Sequence, residues 1–82
     1  MIEITLDGLD GMESLHEQLA EALHFPETYG RNLDALYDCL TEVREDVCFR
    51  LRNTAALGRR GSALEVLLHH ATEENRYIHL HD

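Results

Sequence analysis

Positive charge is the scarcest property of this 82-residue sequence. Seven arginine residues and no lysine stand against 16 aspartate and glutamate residues, which gives a formal net charge of −9. Nucleic acids are bound through lysine and arginine, which release phosphate counterions, so this balance argues against direct nucleic-acid binding. It argues equally against an anionic membrane surface. An acidic surface suits a basic partner protein, although such a charge also serves solubility alone.

Patterns that mark common classes of site are also missing. The sequence contains no C-x-x-C pair, P-loop, G-x-G-x-x-G, H-E-x-x-H or G-x-S-x-G motif, and we expect no cofactor. Its start lacks a basic segment followed by an apolar one, and no apolar run could cross a membrane. We therefore expect a cytoplasmic protein. Cys39 and Cys48 are predicted to lie in a helix and a strand and to stay reduced.

Three stretches alternate strictly between apolar and polar residues, at 2–7, 47–52 and 77–81. This period of two predicts strands with one buried face. Because all three have such a face, we predict one sheet that is covered by helices on one side, a two-layer α/β arrangement. Strands separated by helices favour parallel pairing. The length limits the chain to one small domain, predicted to span residues 1–82.

Helical spacing of apolar residues fills the gaps between the strands. The first helix is predicted from the segment "DGMESLHEQLAEALHF", with Asp10 and Glu13 as a capping-box-like pair at its start. The third is predicted to begin near Gly61, after a helical turn at residues 55–57. The buried face of the second helix is predicted to comprise Leu33, Leu36, Leu40 and Val43.

The second helix carries an acidic face opposite its leucines. Asp34, Asp38 and Glu45 are predicted to lie close together there, with Thr41 and Glu42 beside them. No lysine or arginine at i+4 relieves the repulsion, and like charges at that spacing destabilise a helix. The pattern therefore favours a binding face. The alternative is that the carboxylates only face water, with Asp34 favoured by the helix dipole in the first turn.

Catalytic and metal-binding chemistry are the competing interpretations. General acid–base catalysis needs a carboxyl group in a buried site, whereas both aspartates are predicted to be exposed, so we predict no enzyme. Cys39 is predicted to be a core residue rather than a nucleophile. Among six histidines, His79 and His81 share one strand face, but no third ligand has a suitable spacing. We predict no metal site, and a metal-dependent enzyme stays as a third alternative.

The segment P-E-T-Y-G-R-N-L-D-A-L-Y-D-C-L, residues 26–40, resembles the barstar family of intracellular ribonuclease inhibitors. In that family the segment reads broadly P-x-x-Y-G-x-N-L-D-A-L-x-D-x-L, and the shared positions include both core leucines and exposed polar residues. The preceding segment SLHEQLAEAL, residues 14–23, resembles the family's first helix. The resemblance implies the barstar-like fold, a three-stranded parallel sheet with helices packed mainly on one side.

The resemblance also implies a function. Family members bind a small secreted ribonuclease and block its active site, so we expect an immunity protein that binds a basic ribonuclease-type partner and is a monomer when free. Asp38 matches the aspartate that occupies a phosphate site of the enzyme, and Asp34 matches a second contacting aspartate. Gly30 and Asn32 match contacting loop residues, and Tyr29 matches a supporting tyrosine.

Several positions depart from the family pattern. Thr28 stands where the best-known member has a contacting tyrosine, Arg31 replaces an acidic residue, and Tyr37 replaces a tryptophan. A contacting glutamate of the third helix would fall near His70. These changes indicate a different target or a weaker affinity. A barstar-like binding module with a non-ribonuclease partner is the alternative function. The secondary partner-binding candidates are Thr28, Tyr37, Glu42, Leu67 and His70.

Overall fold

The chain alternates strands and helices, as its hydrophobic pattern predicts. The structure, a computed structural model, describes residues 1–81. Two 3₁₀ turns, Gly8–Asp10 and Thr54–Leu57, lie between the main elements, and the second of them confirms the helical turn predicted there. The main elements are β1 (Ile2–Asp7), α1 (Met12–Leu23), α2 (Leu33–Thr41), β2 (Val47–Arg52), α3 (Arg59–Glu74) and β3 (Ile78–His81).

The three strands form one parallel sheet in the order β1–β2–β3. Burial alternates along the central strand, where Val47 and Phe49 are fully buried while Arg50 and Arg52 are exposed. The three helices therefore cover one face of the sheet. This confirms the predicted α/β architecture with a three-stranded parallel sheet in a barstar-like arrangement.

The hydrophobic core lies between that face and the helices. Each helix contributes two fully buried leucines, and β1 contributes Ile4 and Leu6. Burying one such side chain stabilises the fold by about 1.5–3 kcal/mol, so these positions dominate the folding energy. The leucines are Leu15, Leu19, Leu36, Leu40, Leu64 and Leu68.

The start of α1 differs from its prediction. Gly11 precedes the helix with a φ of 85° and no side-chain cap, so the predicted capping box of Asp10 and Glu13 is wrong. The chain first makes the 3₁₀ turn that contains Asp10. The Asp7 carboxylate accepts a hydrogen bond of 2.9 Å from the amide of Leu9 and so stabilises that turn instead.

The end of α2 also differs, because a distant side chain closes it. The helix ends at Thr41, so Val43 and Glu45 lie outside it and Glu45 does not extend its acidic face. Asn75, which is 5% exposed, donates through Nδ2 to the carbonyls of Leu40 at 2.8 Å and Val43 at 2.9 Å. The residue that follows α3 thus binds one carbonyl of the last turn of α2 and one of the turn after it.

A buried histidine fixes the connection between α1 and α2. His16 is 5% exposed, and its Nδ1 shares a hydrogen bond of 2.5 Å with the hydroxyl of Tyr29. Burial, reinforced by the charge of Arg31, lowers the pKa of His16. Burial also raises the pKa of Tyr29 to about 12. Both side chains are therefore neutral near pH 7, and the hydrogen bond is made without a buried charge.

Two glycines leave room for the backbone that follows β2. A Cβ atom at Gly8 would lie 2.1 Å from the carbonyl oxygen of Asn53, and one at Gly61 would lie 2.0 Å from that of Thr54. Residues 53 and 54 are thus held between the end of β1 and the first turns of α3. This close approach requires glycine on both sides.

We predict that Gly61→Ala destabilises the protein by about 1–3 kcal/mol, although alanine in a helix normally gains about 1 kcal/mol over glycine. The reason is the clash with Thr54. Urea unfolding measures the change, and Ser62→Ala, at the exposed neighbouring position, is the control that reports helix propensity alone. A more stable Gly61→Ala variant would contradict the close approach.

We also predict that stability falls in acid partly through His16. Its folded pKa lies below the unfolded value of 6.5, so its contribution is complete above pH 6.5 and declines as the pH drops through the folded pKa. His16→Gln should flatten the pH dependence of the urea midpoint between about pH 7 and pH 5. His69→Gln removes an exposed helical histidine as the control, and an equal flattening there would contradict the assignment.

Candidate partner-binding face of helix α2

The carboxylates of α2 are exposed and uncompensated. We call Asp34 and Asp38 of α2, together with Glu42 directly after its end, the acidic face, and residues 28–32, the loop before the helix that is predicted to contact a partner, the binding loop. All three acidic residues are exposed. The ion pairs within residues 1–81 lie elsewhere in the molecule, and none includes a residue of the acidic face. The face therefore keeps its negative charge available to another molecule.

Asn32 sets where α2 begins and so where the acidic face starts. Its Oδ1 accepts a hydrogen bond of 2.8 Å from the amide of Ala35, which caps the helix. Its Nδ2 donates to the carbonyl of Gly30 at 3.3 Å. The predicted loop contact Asn32 is thus exposed, but its side chain is already engaged in shaping the loop.

Tyr29 and Gly30 support the loop in different ways. Tyr29 is half-buried; its hydroxyl meets His16, and its ring lies 4.9 Å from that of Phe25, centroid to centroid. Gly30 is exposed, and a Cβ atom there would lie 3.0 Å from Nδ2 of Asn32. Glycine at this position therefore leaves room for the side chain that caps α2.

A largely apolar groove of about 730 Å³ runs between α2 and α3, beside Asp34 and Asp38. The sequence candidates Tyr37, Leu67 and His70 line it. Val66 is 57% exposed there, an apolar residue on a surface position of α3 that sequence reasoning missed. Nothing in the sequence marks it as exposed, because it stands in the apolar run of Val66, Leu67 and Leu68. The other lining residues are Leu33, Ser62 and Ala63.

The remaining candidates lie outside this groove. Thr28 is exposed in the binding loop. Glu42 lines a separate cleft of about 200 Å³, together with Cys39. Cys39 is half-buried rather than a core residue, which corrects that prediction. Burial raises the pKa of its thiol, and the charges of Glu42 and Asp38 add to the shift, so the thiol stays protonated and is a poor nucleophile.

Arg31 is the one cation of the binding loop. It has a φ of 52°, and its Nη1 lies 3.1 Å from Oε1 of Glu17 on α1. Together with Asn32 and Asp34 it borders a second cavity, of about 600 Å³, which Arg60 of α3 also borders. Two guanidinium groups therefore border the same cavity as Asp34, where the loop joins the acidic face.

Within residues 1–81, no group of three or more histidine, cysteine, aspartate and glutamate side chains could hold a metal ion. His79 instead lies 3.0 Å from a carboxylate oxygen of Asp46. Across the same residues, no helix combines the length and the apolar character needed to cross a membrane.

Comparisons with known proteins find similar sequences. The family model described as Barstar (barnase inhibitor) matches residues 1–78. A segment of 43 residues is 56% identical to the protein named "Putative ribonuclease inhibitor YrdF" of Bacillus subtilis (strain 168). That segment is 50% of this chain and 47% of the relative, so the match spans about half the length of each. Because the family model covers nearly all of the chain, the protein belongs to the Barstar family.

Proposed function

We propose that the protein is an intracellular inhibitor of a basic, secreted ribonuclease, and that the acidic face and the binding loop block the enzyme's active site. Family membership and the name of the matching relative support this role. One observation carries the mechanism: Asp34 and Asp38 are exposed one turn apart and have no ion pair within residues 1–81.

Asp38 is the proposed phosphate mimic. A ribonuclease holds the phosphates of its substrate with cationic side chains, and a carboxylate can accept the same charge-assisted hydrogen bonds, including a bidentate pair from arginine. Asp34, one turn earlier on the same side of α2, would meet a second cation. No bond is made or broken, and inhibition follows because RNA is excluded. The net charge of −9 would speed the encounter with a basic enzyme.

The groove beside the two aspartates supplies apolar contact area. Tyr37 and Leu67 are half-buried and Val66 is exposed, so a partner side chain could cover all three. Interfaces commonly combine a dry centre that contains aromatic residues with a polar surround. In this chain His70 lines the groove near the position where the family has a contacting glutamate. The His70 end of the groove therefore lacks that carboxylate. Such a change favours a partner with fewer cations at that end.

The binding loop is ordered before any partner binds. The loop is already held by the cap of Asn32 and by the hydrogen bond between Tyr29 and His16. Little conformational entropy would then be lost on binding. In this proposal Gly30 and Asn32 shape the approach to the enzyme, and Thr28 and Glu42 make contacts at the edge of the interface.

We expect Asp38→Asn to weaken binding to barnase, the enzyme named in the family description, by at least about 2 kcal/mol, or about 30-fold in Kd. The amide keeps the shape of the side chain but loses its charge. Asp10→Asn, at an exposed aspartate before α1, removes the same charge as the control. Inhibition of RNA hydrolysis and calorimetric titration measure the change.

Equal effects of the two substitutions would contradict the phosphate-mimic role and leave only a general charge effect. A wild-type chain that inhibits no basic ribonuclease, but retains another stable partner from its native cell extract, would favour the alternative of a barstar-like module with a different partner.

A further inference from the structure

Arg31 presents a physical conflict within the binding loop. Its guanidinium adds positive charge to a surface proposed to meet a cationic partner, and like charges across an interface weaken binding. Its backbone is also left-handed, with a φ of 52°, a conformation that costs a residue other than glycine about 1–2 kcal/mol. Something in the structure must hold both the charge and the backbone in place.

Glu17 provides the only ion pair that Arg31 makes within residues 1–81. Nη1 of Arg31 lies 3.1 Å from Oε1 of Glu17, and both side chains are about half exposed. Glu17 belongs to α1, outside the binding loop and the acidic face. It directly follows His16, whose ring holds Tyr29. Two consecutive residues of α1 thus hold two loop positions, Tyr29 and Arg31.

Two other carboxylates, Asp34 and Glu13, border the same cavity of about 600 Å³ as Arg31, and Arg60 borders it as well. Within residues 1–81, neither Asp34 nor Arg60 takes part in an ion pair. An Arg31 side chain released from Glu17 would be drawn towards the carboxylates of this cavity, because opposite charges attract. Pairing with Asp34 would neutralise one of the two aspartates proposed to bind the partner.

We propose that Glu17 is a positioning residue for partner binding: it holds the Arg31 guanidinium against α1, which keeps the loop in shape and leaves Asp34 free for the partner. The inference rests on the proposed function, since it assigns Asp34 to a cationic partner. Glu17 itself touches no partner. Its effect therefore depends entirely on the presence of Arg31.

A double-mutant cycle tests this dependence. We expect Glu17→Gln to raise the Kd for barnase about two- to fivefold, the range of an exposed ion pair. In an Arg31→Gln background, the same substitution should have no further effect. Glu21→Gln is the matched control, because Glu21 is another exposed glutamate of α1, one turn further on, without an ion pair in residues 1–81. It should change Kd less than Glu17→Gln and equally in both backgrounds.

A second readout needs no ribonuclease. Glu17→Gln should lower the urea midpoint, and change the three-bond coupling between the amide and α protons of residue 31, only when Arg31 is present. Equal effects of Glu17→Gln and Glu21→Gln in both backgrounds would overturn the inference. Failure of the wild type to bind barnase or any other basic secreted ribonuclease would instead count against the proposed function. The unfolding and coupling data would then decide whether Glu17 holds Arg31.

Discussion

Two asparagine side chains hold the ends of α2, and the candidate binding face depends on them. The helix has only nine residues, too few to be stable alone in water. Asn32 satisfies an amide at its start, and Asn75 binds the carbonyl of Leu40 in its last turn and that of Val43 just after it. Leu36 and Leu40 then anchor it in the core. A short helix fixed in this way can present charged residues without loss of its shape.

The distribution of charge follows from the same arrangement. Repulsion among the exposed carboxylates of α2 costs stability, which packing against the sheet and α3 must offset. Three arginines make contacts away from it: Arg44 donates to the carbonyls of Thr41 and Val43, Arg50 lies 4.0 Å from Glu3, and Arg31 is held by Glu17. Arg60 borders the same cavity as Asp34 but makes no ion pair within residues 1–81. The acidic face thus remains unpaired among the described residues.

Local patterns in the sequence were sufficient to predict the elements but not the contacts that join them. Alternation located all three strands, since it reports burial of one face directly. It could not show that Asn75 binds the carbonyl of Leu40, 35 positions earlier, in the last turn of α2. Nor could it show that the carbonyl of Thr54 packs so close to position 61 that only glycine fits there. His16 gave no signal of burial, because its partner lies across the loop. The exposed positions of Asp34 and Asp38 were predictable, whereas Val66 and the tether of Arg31 required the packed structure.

The acidic face and the binding loop together form the proposed partner-binding surface. Titration of the ¹⁵N-labelled chain with unlabelled barnase, followed by amide chemical shifts, locates the contact surface residue by residue. We expect the largest changes in residues 28–38 and around the groove at Val66. Changes concentrated on the open face of the sheet, around Arg50 and Arg52, would contradict it.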